Sequence, residues 1–466
     1  MTKSKNINQL IEVMIKAYQN QDYKIAYNNA KLITKILPKH TLSWKIIAAF
    51  LERNGEIKKS LAAIQEAIKL APEDSEAYYS QGIVFFRLRK LKEAKESYSK
   101  AIHLKKNFDK AHNNLGVVQD KMNKLEEAVD CYKEAIKINK DYAEAYCNLA
   151  TALDKLNKNE EAKKNFSKSL ELKPGYKPAL LGRGQIFLKN GETDNALNDF
   201  DNCNTRDSRM SALLSLYNSS RYDEIYERIK KNLILDDDNL KIASFSSFIS
   251  NKFKKDTGHG FCKNPLEFIH YSNLSSHISN PKLFIDKIVN ELNNIETSWE
   301  PYNKSTINGF QSENNLFENS QNKLLSLKSI ILDEIDSYYM KFRNRDCSLI
   351  KKWPRKKILF GWHVELKCQG YQKAHIHPSG WLSGVIYLKV VPTLGKNEGA
   401  IEFSLSGRDF VDKALPKVIF KPSIGDIVFF PSSLHHRTIP FTSDSNRIII
   451  SFDLAPDNKK FREVLS

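Results

Sequence analysis

The amino-acid sequence predicts two fold classes in succession, an all-α solenoid of paired helices followed by an all-β barrel or sandwich with flanking helices. A 34-residue repeat runs through the first 205 residues, and a period of roughly 20–50 residues is typical of stacked structural repeats. After residue 351 the hydrophobic residues alternate in short segments separated by Gly and Pro, as in β-strands. A chain of 466 residues is also too long for one ordinary domain.

The repeat is defined by small and aromatic residues that keep one register. Small residues allow the two helices of a unit to cross closely, and a large side chain fills the gap to the next unit. Proline at positions 38, 72 and 174 closes the second helix of a unit, because proline cannot continue a helix. The small positions include Ser43, Ala77, Ala111, Ala145 and Ala179, then Ala48, Gly82, Gly116, Ala150 and Gly184, and the large ones are Ile64, Tyr98, Tyr132, Phe166 and Phe200.

This register resembles that of the tetratricopeptide repeat, and the resemblance implies about six repeats in residues 1–205. Residues 9–38 are the loosest copy. Such solenoids form a groove, so we expect a protein or peptide to bind there. A spacer or a dimerisation surface without a ligand is the alternative. Residues 206–263 lose the register but stay helical, which predicts capping helices and a linker that ends in the Gly- and Pro-containing stretch KKDTGHGFCKNP.

Composition excludes several classes of protein. Hydrophobic residues make up 41% and charged residues 27% of the chain, as in soluble globular proteins. No apolar run approaches the ~20 residues that span a bilayer, so we expect a cytoplasmic protein. The six cysteines are too scattered for a zinc site or a disulfide framework. The net charge of +17 comes with no basic tail or finger motif, so nucleic-acid binding is not expected.

The second half begins with helix and ends with strands. Residues 298–317 are polar and predict turns, and residues 323–340 predict an amphipathic helix. The strands expected after residue 351 are WHVELK, a segment that contains His375, SGVIYLKVV, AIEFSL, KVIF, DIVFF, HRTIPF and RIIISFDL. This order predicts an all-β core backed by helices.

Three histidines and an arginine are the candidate site residues of this half. His375 and His377 stand at i and i+2, which on a strand directs both rings to one face. His436 lies on another strand, and Arg447 follows eleven residues later. In RIIISFDL, period two places Arg447 with Ile449, Ser451 and Asp453 on the face opposite the apolar one. An arginine that faces into a barrel needs an anion, and Tyr387 is a candidate neighbour of that anion.

The second half resembles the 2-oxoglutarate/Fe(II) oxygenases that are often fused to tetratricopeptide repeats in bacteria. The resemblance covers residues 264–456 of a predicted domain 264–466, and it is carried by NPLEFI, STINGFQSENNLF, HIHPSGWLSGVIYLKV, GAIEFSL, GDIVFFPSSLHHRTIPF and RIIISFDL. It implies a double-stranded β-helix (a jelly-roll, cupin-like fold), Fe(II) and 2-oxoglutarate as cofactors, and hydroxylation as the reaction. The repeats suggest a protein or peptide as the substrate, or a partner that carries the substrate. It also implies that His375 and His436 bind iron and that Arg447 binds the distal carboxylate of 2-oxoglutarate.

His377 departs from the family pattern, because it stands where a carboxylate ligand is usual. His377 is the third iron ligand, or it supports the site while water fills the vacant position, or the site is inactive. Two other functions also stay open. One is a cupin-like three-histidine iron dioxygenase that does not use 2-oxoglutarate, and the other is a non-enzymatic repeat adaptor with a degenerate β-domain.

Overall fold

A computed structural model of the chain describes residues 2–301, 304–318, 320–392 and 395–456. The last ten residues of the predicted C-terminal domain therefore lie outside the described part. The chain divides into two compact units, Met1–Ser215 and Leu216–Ser466. None of the helices in the described ranges combines the length and the apolar character that a membrane crossing requires. All six cysteines are free.

The first unit is built from helix pairs, as the repeat register predicts. Six pairs follow one another: Thr2–Gln19 (α1) with Tyr23–Ile36 (α2), Thr41–Arg53 (α3) with Ile57–Leu70 (α4), Ser75–Arg87 (α5) with Leu91–Leu104 (α6), Asp109–Lys121 (α7) with Leu125–Ile138 (α8), Ala143–Lys155 (α9) with Asn159–Leu172 (α10), and Lys177–Lys189 (α11) with Thr193–Cys203 (α12).

The turn within each pair contains one residue in the left-handed region, and these residues are again 34 positions apart. They are Gln21, Gly55, Arg89, Asn123, Asn157 and Gly191, with φ between 59° and 78°. A left-handed residue ends a helix and satisfies its last carbonyl groups. The first pair, which fits the sequence register loosely, has the same turn and is therefore a sixth repeat.

Close packing explains why the small residues of the repeat are small. A Cβ atom added to Gly82 would lie 2.6 Å from the ring of Tyr98, and one added to Gly116 would lie 2.6 Å from the ring of Tyr132. The aromatic rings are themselves buried. The register therefore marks core packing and not a binding surface.

Helices precede and surround the strands of the rest of the chain. They are Arg206–Asn218 (α13), Tyr222–Lys231 (α14), Leu233–Asp236 (α15), Leu240–Phe253 (α16), Pro281–Leu292 (α17), Asn322–Phe342 (α18) and Ser348–Lys351 (α19). The predicted helix at 323–340 is confirmed as α18, with Leu327, Ile331 and Ile335 buried on one face. The sequence did not predict α17.

In the described residues, ten strands form two antiparallel sheets. The strands are His270–Asn273 (β1), Thr297–Trp299 (β2), Thr306–Ser312 (β3), Ile358–Gln372 (β4), Leu382–Lys389 (β5), Ile401–Ser404 (β6), Lys417–Phe420 (β7), Asp426–Pro431 (β8), His435–Thr438 (β9) and Arg447–Ala455 (β10). One sheet has the order β1-β8-β5-β10-β4-β3-β2, and the other has the order β7-β6-β9. The predicted succession of a repeat solenoid and a sheet-rich domain with flanking helices is confirmed.

Two local predictions are wrong. The polar stretch 298–317 was expected to form turns, but it contains part of β2 and all of β3. Thr306, Gln311 and Ser312 of β3 are buried, so polar composition concealed an inner strand. His375 and His377 were expected on a regular strand. Strand β4 ends at Gln372, and His375 forms only an isolated bridge with His436.

The two faces of β10 have different neighbours, as period two predicts. Ile450, Phe452 and Leu454 pack in one cluster with residues of α17 and α18. Ile449 packs in a second cluster that also contains Tyr387 and Phe403. The polar residues of β10 share the face of Ile449, so this face carries the candidate site.

Candidate active site

The three predicted histidines converge. His375 and His436 exchange two backbone hydrogen bonds of 3.1 Å, and the backbone N–H of His377 donates to the carbonyl oxygen of Ser432 at 3.0 Å. The ring centroid of His436 lies 4.4 Å from that of His375 and 4.9 Å from that of His377. The ligand nitrogens of all three rings lie within 4.8 Å of one another. The isolated bridge between His375 and His436 thus brings the rings together, although a continuous strand was expected to do so.

Each of the three rings has its Nδ1 atom held by an acceptor. His375 Nδ1 lies 2.6 Å from the carbonyl oxygen of Lys373, and His436 Nδ1 lies 3.1 Å from that of Leu434. His377 Nδ1 lies 2.6 Å from Oδ1 of Asp453. Carbonyl and ionised carboxylate oxygens only accept, so each Nδ1 carries a proton, and in the neutral ring Nε2 presents a lone pair.

The Nε2 atoms of His375 and His377 face each other, and the hydroxyl of Ser305 lies 3.4 Å from His375 Nε2. Nε2 of His375 and Nε2 of His377 are 3.2 Å apart. Burial and the neighbouring His377 ring lower the pKa of His375 to about 3, and burial holds the pKa of His436 well below its usual range. The rings of His375 and His436 are therefore neutral at neutral pH, which is the form that binds a metal.

A divalent metal ion fits this cluster. Metal–nitrogen bonds of ~2.1 Å hold cis ligand nitrogens ~3.0–3.4 Å apart, and the His375–His377 separation of 3.2 Å lies in that interval. A cation there removes the repulsion between the facing lone pairs. Imidazole ligands suit Fe(II) as well as Zn(II) and Cu(II), so the cluster by itself does not select one of these metals.

Arg447 is the second unusual group. Its side chain is 1% exposed, and its Nε and Nη1 atoms have no hydrogen-bond partner among the described residues. The guanidinium carbon lies 5.0 Å from the ring centre of Tyr387, whose buried hydroxyl also has no partner in the described ranges. Burial lowers the pKa of Arg447 and raises the pKa of Tyr387 to about 12. A bound carboxylate would accept hydrogen bonds from the Tyr387 hydroxyl and from one edge of the Arg447 guanidinium, so these residues fit the distal carboxylate of 2-oxoglutarate.

Two clefts border the histidine cluster. One, of about 330 Å³, is lined by His375, His377 and Asp453, by the aromatic rings of Phe360 and Trp362, and by polar side chains that include Gln311 and Gln372. The other, of about 470 Å³, reaches His436 and is lined by an ion cluster in which Arg437 and Lys417 both pair with Glu402. The first cleft opens on two of the three histidines and is the better candidate for substrate.

Sequence analysis missed the residues that support His377. Ser383 donates a hydrogen bond of 2.6 Å to Asp453 Oδ1, and Ser383 and Ser432 are hydrogen-bonded at 2.8 Å. The phase of β10 already placed Asp453 on the face of Arg447, and that signal could have identified it. His435, the residue before His436, takes no part in the histidine cluster, and its Nδ1 lies 2.9 Å from Ser244 Oγ.

Family comparisons match both halves of the chain. A family model described as "Putative 2OG-Fe(II) oxygenase" matches residues 361–453, a range that contains the three histidines, Tyr387, Arg447 and Asp453. Three tetratricopeptide-repeat models match residues 51–111, 121–156 and 143–176. No curated protein matches the chain.

Several solved repeat proteins are similar to part of the chain. PilF of Pseudomonas aeruginosa is 20% identical over 44% of this chain and 96% of its own, with a TM-score of 0.40. PilW, a type IV pilus biogenesis factor, is 17% identical over 44% of this chain and 97% of its own, with a TM-score of 0.41. YrrB, a repeat protein with a peptide-binding site, is 22% identical over 41% of this chain and 97% of its own, with a TM-score of 0.34. Likenesses at this level carry no inference about function.

Proposed function

We propose that this chain, which carries a 2OG-Fe(II) oxygenase domain behind tetratricopeptide repeats, is an iron(II)- and 2-oxoglutarate-dependent oxygenase that hydroxylates a protein or peptide. In this proposal His375, His377 and His436 hold the iron, and Arg447 with Tyr387 holds the distal carboxylate of 2-oxoglutarate. The accompanying domain division is a repeat solenoid at 1–205, capping helices and linker at 206–263, and the oxygenase domain at 264–466.

One observation carries the proposal. Three imidazoles have their Nδ1 atoms occupied by acceptors, and their ligand nitrogens lie within 4.8 Å of one another. Nε2 of His375 and Nε2 of His377 are 3.2 Å apart, a separation that suits two ligands of one metal ion. Of the three roles considered for His377, the hydrogen bond on Nδ1 favours the ligand.

The residues around the cluster are suited to binding and shielding a substrate. When bound, iron with 2-oxoglutarate would supply hydroxylation of an unactivated C–H bond by O₂, in which one oxygen atom enters the substrate and the other enters succinate as 2-oxoglutarate loses CO₂. The ring centroid of Trp362 lies 5.3 Å from that of His377, and the Trp362 side chain lines the smaller cleft. Gln311 and Gln372 offer amide groups in the same cleft, where they are placed to orient a polar substrate.

The repeats are the part of the chain that recruits a partner in this proposal. Side chains of three successive repeats are joined on one face, because Asn148 donates to Asn113, Asn113 donates to Asn114, and Asn114 donates to the hydroxyl of Tyr79. Asn114, Asn148 and Tyr79 are half-buried, so these amide groups are reachable. Amide groups on this face suit the polar backbone of a peptide, which supports a peptide or protein as the partner.

A second candidate function follows from the ligand types. A site of three histidines lacks the carboxylate of the usual iron triad, which favours a cupin-like iron dioxygenase that does not use 2-oxoglutarate. In that enzyme Arg447 and Tyr387 bind a carboxylate of the substrate itself. Both candidates need iron, and they differ in whether 2-oxoglutarate reaches it.

The two candidates separate in one experiment. Protein loaded with Fe(II) without oxygen is mixed with 2-oxoglutarate, and a weak visible charge-transfer band is expected because the cofactor chelates the iron. His436→Ala is the matched control, and this variant should neither bind iron nor show the band. Iron binding without the band would favour the three-histidine dioxygenase. Absence of iron binding in the wild type would contradict both and favour a repeat adaptor.

A further inference from the structure

We infer that Asp453 is a positioning residue that holds His377 as a metal ligand and supplies, from behind that ring, the negative charge that an all-histidine ligand set lacks. The inference rests on the proposed function. It concerns a residue of β10 that stands six positions after Arg447 on the same strand face.

Asp453 is fixed in place from several sides. Its side chain is buried, and its Oδ1 atom lies 2.6 Å from both His377 Nδ1 and Ser383 Oγ. Ser383 is fully buried and is itself hydrogen-bonded to Ser432. The backbone at Gly380 also approaches closely, since an added Cβ atom would lie 2.9 Å from Cγ of Asp453. The carboxylate therefore has a defined position, and it fixes the orientation of the His377 ring.

Asp453 differs from the groups that hold the other two rings. His375 and His436 donate to backbone carbonyl oxygens, which are neutral. His377 alone donates to a carboxylate. A carboxylate behind a ligating imidazole raises the basicity of the ligand nitrogen and strengthens metal binding. The negative charge that is usual on a ligand of the iron triad thus lies here one imidazole ring farther from the metal position, on Asp453.

The position of Asp453 favours this role over direct ligation. The group of mutually close ligand atoms in the described residues contains the three histidines and not Asp453. The Oδ1 atom is already occupied by the His377 N–H and the Ser383 hydroxyl. A carboxylate bound to Nδ1 lies on the far side of the ring from Nε2.

Metal affinity tests the inference without relying on activity. Co(II) is titrated calorimetrically into metal-free wild type, Asp453→Asn, Asp453→Ala and Asp333→Asn. Asn keeps an acceptor oxygen but loses the charge, and Ala loses both. The control Asp333→Asn makes the same chemical change on an exposed position of α18. We expect Asp453→Asn to weaken Co(II) by roughly 10–100-fold, Asp453→Ala by at least as much, and the control to be unchanged.

Three outcomes would overturn the inference. Equal Co(II) affinity in the wild type and both Asp453 variants would show that the charge has no effect on the metal. Weaker Co(II) binding in Asp453→Asn together with a changed visible spectrum of the bound Co(II) would show that Asp453 is a direct ligand. Should the variants fail to fold, imidazole nitrogen NMR of the wild type decides, and an Nε2–H tautomer at His377 would contradict the inference. Failure of the wild type to bind Co(II) would instead contradict the proposed function.

Discussion

Two arginines, the half-buried Arg183 in the first compact unit and the buried Arg447 in the second, show how differently the two regions treat a charge that is withdrawn from solvent. In the repeat unit, Arg183 donates from Nε and Nη2 to the two carboxylate oxygens of Asp199, at 2.8 Å each. Its Nη1 donates to Ser167 at 3.1 Å. In the oxygenase domain, Arg447 is more deeply buried, yet its Nε and Nη1 lack partners among the described residues. The charge of Arg183 is paired inside the protein and serves the fold, whereas in our proposal the charge of Arg447 is paired by an external anion.

Histidines repeat the contrast. In the described part of the first compact unit, which holds the repeats, no histidine is buried. The second compact unit buries five histidines: His259, His363, His377, His435 and His436. In the first compact unit, the helices are held together by close packing of aromatic rings against glycines. The oxygenase domain places titratable groups inside, and three of its histidines turn ligand atoms toward each other.

Replacing Arg183 by methionine should lower the free energy of unfolding, whereas replacing Arg447 by methionine should not. Arg183→Met leaves Asp199, which is 1% exposed, buried without its partner, and should lower the free energy of unfolding by roughly 3–5 kcal/mol. Arg447→Met removes an unpaired charge and keeps an apolar side chain of similar length. The free energy of unfolding of the metal-free protein should stay the same or rise by about 1–3 kcal/mol.

Urea unfolding with two probes measures both changes. Four of the five tryptophans lie beyond residue 215, so tryptophan fluorescence reports mainly on the second unit. Circular dichroism at the helix band reports mainly on the repeats. A clear loss of stability in Arg447→Met would mean that Arg447 is paired within the protein, and the comparison of the two arginines would fail.

Acid should weaken the oxygenase unit through His435. Burial lowers the pKa of His435 from 6.5 to about 4, so the unfolded chain takes up the proton first as the pH falls. The stabilisation is complete above pH ~6.5, is lost between pH ~6.5 and ~4, and amounts to about 3 kcal/mol. Replacing His435 with Gln should flatten this part of the pH profile. An unchanged profile would mean that other buried groups carry the acid sensitivity.

Much of this contrast was predictable from the sequence, because it depends on local periodicity. The 34-residue register located Gly116 and Tyr132, and period two placed Arg447 on the inner face of β10. The structure of residues 298–317 was not predictable, since β3 is a strand through its pairing with β4 and is polar where it is buried. The partner of His377 is Asp453, 76 positions along the chain, and such a contact depends on the assembled sheet.

The smallest effect concerns shape in the repeats. Gly116→Ala places a methyl group 2.6 Å from the Tyr132 ring, and overpacking of this kind should cost ~1–3 kcal/mol. The double variant Gly116→Ala, Tyr132→Leu provides room for the methyl group and should recover part of the loss. Thermal unfolding at the helix band measures both variants. If the single variant were as stable as the wild type, steric contact would not explain the glycine register.

Binding of 2-oxoglutarate tests the central claim most directly. The ligand is titrated without oxygen into Fe(II)-loaded wild type, Arg447→Lys and Arg447→Met, and bound iron is measured separately. Charge-assisted hydrogen bonds contribute ~1.5–3 kcal/mol, so Arg447→Lys, which keeps the charge but loses the planar fork, should bind roughly tenfold or more weakly. Arg447→Met should be weaker still, with the same iron content in all three. Equal affinities would remove Arg447 from the cofactor site and contradict the account.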